Sequence, residues 1–156
     1  MQKYPFIYQD QVHSGWVDYN GHMNDAAYAK VFSLTVDSFM NYIGLDEITR
    51  DKQAYTIFTL EMHIVYLHEA LEGEKLSITV QLIDVDSKRL HVFISMKNTE
   101  GTVIATSEQM LMGMDTIQKK PSPFPVSVAK NIEDLWKSHR QLELPKQVGR
   151  IIGIKR

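Results

Sequence analysis

Asn24-Asp25-Ala26-Ala27-Tyr28-Ala29-Lys30-Val31-Phe32-Ser33-Leu34-Thr35-Val36-Asp37-Ser38-Phe39-Met40-Asn41-Tyr42-Ile43 is the stretch from which the fold is read. Its polar residues Lys30, Ser33, Asp37 and Asn41 fall at spacings of three, four and four, which is one narrow exposed stripe of a helix. The positions around that stripe are apolar or small, from Ala26, Ala27 and Tyr28 through Val31, Phe32, Leu34 and Val36 to Phe39, Met40 and Ile43. A helix apolar around most of its circumference has to be wrapped by something broad, and a curved sheet is the layer that can do it. Asn24 or Asp25 suits the N-cap, and Gly44 is a natural stop.

On the C-terminal side the period changes from helical to alternating. From Tyr55 to Leu67, the residues Phe58, Leu60, Met62, Ile64 and Tyr66 form one apolar set, and Glu61 and His63 belong to the other, which predicts a long strand with a single apolar face. Glu72-Gly73-Glu74 breaks it. Leu76, Ile78, Val80 and Leu82 then alternate as a second strand, Asp86-Ser87-Lys88 turns into Leu90, Val92, Ile94 and Met96, and Glu100-Gly101 turns into a strand over residues 103–114. With a short strand at residues 6–12, the order is strand, helix, then four long strands in an antiparallel meander. The class is therefore α+β, one long central helix wrapped by a curved antiparallel sheet of about five strands. The opposite sheet face, with Glu61, His63, Ser77, Thr79, His91 and Ser95, is left to meet water or a second subunit. Pro121, Pro123 and Pro125 divide a body, residues 1–120, from a C-terminal extension, residues 121–156, expected to pack on the same domain through a short amphipathic helix around Ile132, Leu135 and Trp136.

The composition narrows the function classes. The 156 residues are 44% hydrophobic and 23% charged, so a single core can form without clips, and there is no cysteine. Thiol nucleophiles, thiolate-bound zinc, iron–sulfur clusters and disulfide scaffolds are thereby excluded, and a reducing, cytoplasmic setting is expected. A net charge of -2 with scattered basic pairs argues against nucleic acid as a partner. The opening Met1-Gln2-Lys3-Tyr4-Pro5 runs into a short mixed stretch without a signal-peptide core, and no apolar run approaches the ~20 residues that span a bilayer, so no membrane is expected. Serine-elbow, phosphate-loop, dinucleotide and H-E-x-x-H motifs are missing, and the six histidines lack metal-ligand spacing. His63 and His68, five apart in a strand, point to opposite faces.

The dense polar segment is Trp16-Val17-Asp18-Tyr19-Asn20-Gly21-His22-Met23-Asn24-Asp25, directly before the apolar helix. Such a segment makes turns and caps. It also sets a carboxylate, Asp18, near a helix N-terminus, where unpaired N–H groups and the positive dipole end favour the charge that develops on a thioester oxygen. Asp18 is placed either to attack the carbonyl or to deprotonate a water.

Asp18-Tyr19-Asn20-Gly21-His22-Met23-Asn24, followed by Ala27-Tyr28, resembles the D-x-N-G/Q-H-x-N segment of hotdog-fold acyl-CoA thioesterases of the 4-hydroxybenzoyl-CoA thioesterase class. The stretches Glu61-Met62-His63-Ile64-Val65-Tyr66-Leu67-His68-Glu69-Ala70, Ser87-Lys88-Arg89-Leu90-His91 and Ala105-Thr106-Ser107-Glu108-Gln109-Met110-Leu111 look most like the betainyl-CoA thioesterases of carnitine breakdown, which are free-standing or fused to L-carnitine dehydrogenase. Only the thioesterase part is represented, since no Gly-rich dinucleotide fingerprint occurs. The other hotdog branch places a helix glutamate after an H-G-G segment that is missing here, so Asp25 and Asp37 are read as cap and surface residues.

The resemblance implies hydrolysis of a small acyl-CoA, with betainyl-CoA as the expected substrate and no metal or other cofactor beyond the coenzyme A of the substrate. It further implies a homodimer, commonly assembled into a homotetramer, with sites at the subunit interface. Asp18 matches the catalytic aspartate, and the backbone of Gly21, His22 and Met23 matches the helix start that polarises the thioester carbonyl. Asn20, His22 and Asn24 either position substrate and water or close the turn. Glu61 and His63, two apart on one strand face, are placed to reach one site together, and Lys88 and Arg89 to meet CoA phosphates. A quaternary ammonium is held by aromatic faces, for which Trp16, Tyr19, Tyr28 and Tyr66 are the candidates, with Glu61 as counter-charge. The alternatives are a thioesterase for aromatic or medium-chain acyl-CoA or acyl carrier protein, and a non-catalytic hotdog protein that binds CoA esters.

Overall fold

The computed structural model describes residues 5–156; the first four residues of the N-terminal stretch read above lie outside the described residues. The chain order is β1 (Tyr8–Gln11), α1 (Asp25–Tyr42), α2 (Glu47–Gln53), β2 (Tyr55–Tyr66), β3 (Lys75–Val85), β4 (Arg89–Lys97), β5 (Val103–Asp115), β6 (Lys120–Pro121) and α3 (Val126–His139). The sheet is antiparallel in the order β1-β3-β4-β5-β2, and the two-residue β6 pairs with β5. This is the expected α+β architecture, a curled sheet around one long helix.

The helix behaves as its pattern requires. Lys30, Ser33, Asp37 and Asn41 are exposed, whereas Val31, Phe32, Val36, Phe39 and Met40 are buried against Ile78, Leu82, Leu90, Ile94 and Leu111 of the sheet. Asn24 stands at the N-cap, but its side chain makes no capping hydrogen bond, and Asp25 Oδ1 accepts instead from Ala26 N–H at 2.8 Å. At the other end Gly44, at φ +92°, donates to the Asn41 carbonyl at 3.1 Å, and Leu45 donates to Met40 at 2.8 Å. That pair of bonds is a Schellman stop, and its left-handed residue favours glycine.

Two elements depart from the sequence reading. Helix α2 was not expected. It has no buried residue to set a periodic pattern, and its start depends on Asp46 accepting from Thr49 N–H at 2.9 Å. In β2 the single apolar face is divided. The pairing with β5 shifts register between Thr59 and Glu61, leaving Leu60 as a bulge. Tyr55 and Ile57 face the helix before it, and Met62, Ile64 and Tyr66 after it, in register with Gln109, Ser107 and Ala105. Phe58 falls on the outer face opposite Met112, and Glu61 and His63 join that outer face opposite Met110 and Glu108. Because β2 is an edge strand, its apolar residues are only partly covered: Phe58 and Leu60 are each 52% exposed.

The C-terminal helix α3 buries Val128, Ile132 and Leu135 in the same core as α1, and Asn131 Nδ2 donates to the Ile43 carbonyl at 3.0 Å. His139 at its end accepts from Leu82 N–H through Nδ1 at 2.9 Å. Among the described residues, no helix is long and apolar enough to cross a membrane.

Candidate active site

Asp18 begins a tight turn. Its carbonyl accepts from Gly21 N–H at 3.0 Å, and Gly21 takes φ +78°, which an L side chain adopts only under strain. The Asp18 carboxylate closes the same turn: Oδ1 accepts from Asn20 N–H at 2.8 Å and from His22 N–H at 3.1 Å. Oδ2 has no hydrogen-bond partner among the described residues. One oxygen therefore anchors the side chain, and the other is available to chemistry.

The turn faces an open cleft of about 390 Å³, which Asp18 lines with His22, Met23, Asp25, Tyr28 and Tyr66, and with residues 67–69 beyond β2. The two tyrosine rings meet edge to face, with centroids 5.2 Å apart, and Tyr66 Oη donates to the Asp25 carbonyl at 3.0 Å. Burial pushes both tyrosine hydroxyls up from their ordinary value, so both stay protonated near neutrality. His22 Nε2 lies 3.3 Å from the Glu69 carboxylate at the rim. Glu69 and Asp25 line the cleft too, although the sequence offered Glu69 only within a stretch resembling the family and Asp25 only as a cap.

The backbone N–H groups expected to polarise a carbonyl already have acceptors. Gly21 N–H donates to Asp18, His22 N–H to Asp18 Oδ1, Met23 N–H to the Ala70 carbonyl at 2.8 Å and Asn24 N–H to the Trp16 carbonyl at 2.8 Å. These four groups are occupied in fastening the approach to the helix. The first N–H of α1 without an acceptor among the described residues is that of Asp25, on the lining of the same cleft. Of the four donors at the start of α1, Asn24 N–H bonds the Trp16 carbonyl, Ala26 N–H bonds Asp25 Oδ1 and Ala27 N–H bonds the Asn24 carbonyl, which leaves Asp25 N–H.

Other expected members fall elsewhere. Tyr19 is 96% exposed on the tip of the turn, and Trp16 packs edge to face on His13 rather than lining the cleft, so the aromatic walls reduce to Tyr28 and Tyr66. Glu61 and His63 lie on the outer sheet face, as their alternation with Met62 and Ile64 requires, and line a second cleft with His91, Glu108 and Met110, away from Asp18 in the single chain. Arg89 sits at the β3–β4 turn and is held by Asp86, with Nε and an Nη each 2.6 Å from Oδ2. Lys88 donates its N–H to Asp86 Oδ1 at 3.0 Å. Neither basic residue reaches the Asp18 cleft in one chain. Among the described residues no cluster of three or more potential ligands is arranged to hold a metal.

A helix wrapped by a curled antiparallel sheet, with a carboxylate beside the helix start, defines the hotdog class. Residues 12–132 match the family model of the Thioesterase-like superfamily, and the chain belongs to that family. It is 41% identical over 148 residues to the betainyl-CoA thioesterase of Pseudomonas aeruginosa, covering 94% of this chain and 93% of that one. It is 37% identical over 147 residues to the L-carnitine dehydrogenase/betainyl-CoA thioesterase of Rhizobium meliloti, covering 94% of this chain but 29% of that longer protein. Among solved structures, a Staphylococcus aureus protein in complex with CoA superposes with a TM-score of 0.92 at 36% identity, over 99% of this chain and 98% of that one. A thioesterase-like protein of Pseudomonas putida, described as a candidate thioesterase, gives 0.83 at 34% identity, over 99% and 100%.

Proposed function

We propose that this protein hydrolyses betainyl-CoA to betaine and CoA in the cytoplasm, as a homodimer and without a cofactor. The observation that carries the reading is the Asp18 carboxylate, fixed through Oδ1 and open at Oδ2, in one cleft with the free N–H at the start of α1. The thioester carbonyl oxygen points at Asp25 N–H, where the helix dipole favours the oxyanion. Asp18 then acts by one of two routes. In the first, Oδ2 attacks the carbonyl carbon, the C–S bond breaks, CoA leaves as thiolate and takes a proton, and water hydrolyses the resulting anhydride. In the second, Oδ2 takes a proton from water, which attacks the same carbon; the C–S bond then breaks, and CoA leaves as thiolate and takes that proton. Rapid-quench mass spectrometry separates them, because only the first route forms an acyl group bound to Asp18.

The acyl end supports a cationic substrate. Asp18, Asp25 and Glu69 give the cleft an acidic lining, and the faces of Tyr28 and Tyr66 offer aromatic contact to a trimethylammonium group. The homodimer reading is supported by the unpaired β2 edge with exposed Phe58, Leu60 and Met62, an apolar strand edge that natural proteins leave uncovered only rarely. The test is release of CoA thiol from a panel: betainyl-CoA, its uncharged isostere 3,3-dimethylbutanoyl-CoA, an aromatic acyl-CoA and an acyl carrier protein thioester. Preference for betainyl-CoA is expected. Faster turnover of the aromatic or carrier-bound ester overturns the substrate, and tight binding of every ester without thiol release overturns the enzyme.

A further inference from the structure

The outer face of the sheet carries a row of side chains in register across four strands: Gln81 on β3, Phe93 on β4, Glu108 on β5 and His63 on the β2 edge. The chain after α3 follows this row. Gln81 Nε2 donates to the Glu143 carbonyl at 3.2 Å, and six residues later Gly149 N–H donates to Glu108 Oε1 at 2.7 Å. Phe93, between these two fastenings, is buried although it points away from the main core. Glu108 is itself steadied by His91, whose Nε2 lies 2.6 Å from Oε2. The path therefore runs from β3 toward β2, and the next position in the row is the sheet edge.

Beyond Gly149 the segment Arg150-Ile151-Ile152-Gly153-Ile154-Lys155-Arg156 touches little of its own chain: Ile151, Ile152 and Ile154 are 85%, 85% and 83% exposed. Three exposed isoleucines within four residues make the kind of contiguous apolar patch that marks an interaction surface. We infer that residues 150–156 form an arm that crosses the β2 edge and lies on the outer face of a second copy. This rests on the homodimer reading, with the two β2 edges side by side. A two-fold axis perpendicular to an antiparallel strand pair continues outer face into outer face, so the arm stays on one surface.

The reach is sufficient. Seven extended residues span about 23 Å, and the distance from one β5 across both β2 strands to the other β5 is about 14 Å at ~4.8 Å per strand. Charge agrees as well. The arm carries Arg150, Lys155 and Arg156, and the outer face offers exposed Glu61 near the edge and Asp84 beyond it. The two arms are reciprocal, each pinned by its own Glu108.

The chain has no cysteine, so single cysteines can be introduced cleanly. A tagged Met110→Cys chain, which places a thiol on the outer face of β5, is mixed with an untagged Ile154→Cys chain and treated with a short bismaleimide, alongside light scattering. A tagged–untagged conjugate is expected, and the Ile151→Ser, Ile152→Ser, Ile154→Ser variant is expected to weaken the dimer by at least about tenfold. A monomer by light scattering overturns the homodimer reading and the arm together. A stable dimer that gives no mixed conjugate, or whose dissociation is unchanged in the triple variant, overturns the arm alone. Sedimentation of the unmodified protein with phosphatidylserine vesicles, lost in the triple variant while the dimer is unchanged, assigns the segment to a membrane surface and overturns it too.

Discussion

Replacing Asp18 by Asn and by Ala separates what the carboxylate holds from what it does. In Asp18→Asn the carbonyl oxygen can still accept from Asn20 N–H and His22 N–H, now at 2.8 Å and 3.1 Å, so the turn keeps both fastenings. The other oxygen becomes an amide nitrogen that neither attacks nor takes a proton. Loss of a general base or nucleophile lowers turnover by roughly 10²–10⁴, or about 3–5 kcal/mol of barrier. In Asp18→Ala both bonds go. Their partly exposed setting limits the cost to about 1–2 kcal/mol, which in a chain of this size lowers Tm by about 2–8 °C. Turnover is read with a thiol-reactive dye, which the cysteine-free protein does not titrate, and Tm is read by calorimetry. Asn is thus expected to be inactive and as stable as the parent, and Ala inactive and less stable. Wild-type turnover in a folded Asp18→Asn protein refutes the chemistry proposed for Asp18. An Asn variant as destabilised as Ala refutes the two-oxygen division.

Tyr66→Leu removes the ring that meets Tyr28, and with a cation–π contact worth about 0.5–2 kcal/mol it should lower kcat/KM for betainyl-CoA about 2–30-fold more than for 3,3-dimethylbutanoyl-CoA; equal losses argue against an ammonium site. Burial holds His139 below the ordinary imidazole value of about 6.5, which suits a neutral ring accepting Leu82 N–H. The unfolded chain therefore binds the proton first as pH falls, so stability is fully present above about 6.5 and declines between there and the lower folded value. His139→Gln, which keeps an acceptor but does not titrate, should flatten that part of a Tm-against-pH curve, and an unchanged slope assigns it to other groups. A Cβ on Gly113 would lie 1.7 Å from Tyr55 Oη and 3.0 Å from the Ser122 carbonyl. Gly113→Ala should therefore cost about 1–3 kcal/mol in denaturant unfolding, with partial recovery when Tyr55→Leu is added.

Much of this molecule follows from short-range pattern. The stripe of Lys30, Ser33, Asp37 and Asn41 is exposed as its spacing requires, and Gly44 ends the helix. The alternation in β3 and β4 puts Ile78, Val80, Leu90, Val92 and Ile94 on the helix side. Helix α2 escaped that kind of reading because nothing in it is buried. The strand β2 was misread in facing for a different reason: alternation counts residues, and the bulge at Leu60 inserts one that the count cannot see. Trp16 and Tyr19 illustrate the same limit at the site, since their nearness to Asp18 along the chain says nothing about which side of the turn they take.

By itself the sequence determined the helix, the sheet that has to wrap it, the class of chemistry a cysteine-free chain can apply to a thioester, and Asp18 as the carboxylate to test. Those depend on local spacing and on which residue types are present. Tertiary structure decided which N–H groups are spent and which is free, bringing Ala70 and Trp16 carbonyls onto Met23 and Asn24 and leaving Asp25 open. It also decided that Tyr66 and Glu69, more than forty positions further along, share the cleft, and that Glu61 and His63 of the same chain line a different one. Hydrogen-bond occupancy and side-chain facing are set by partners distant in the chain, and the register that brings them together is fixed only when the sheet closes around the helix.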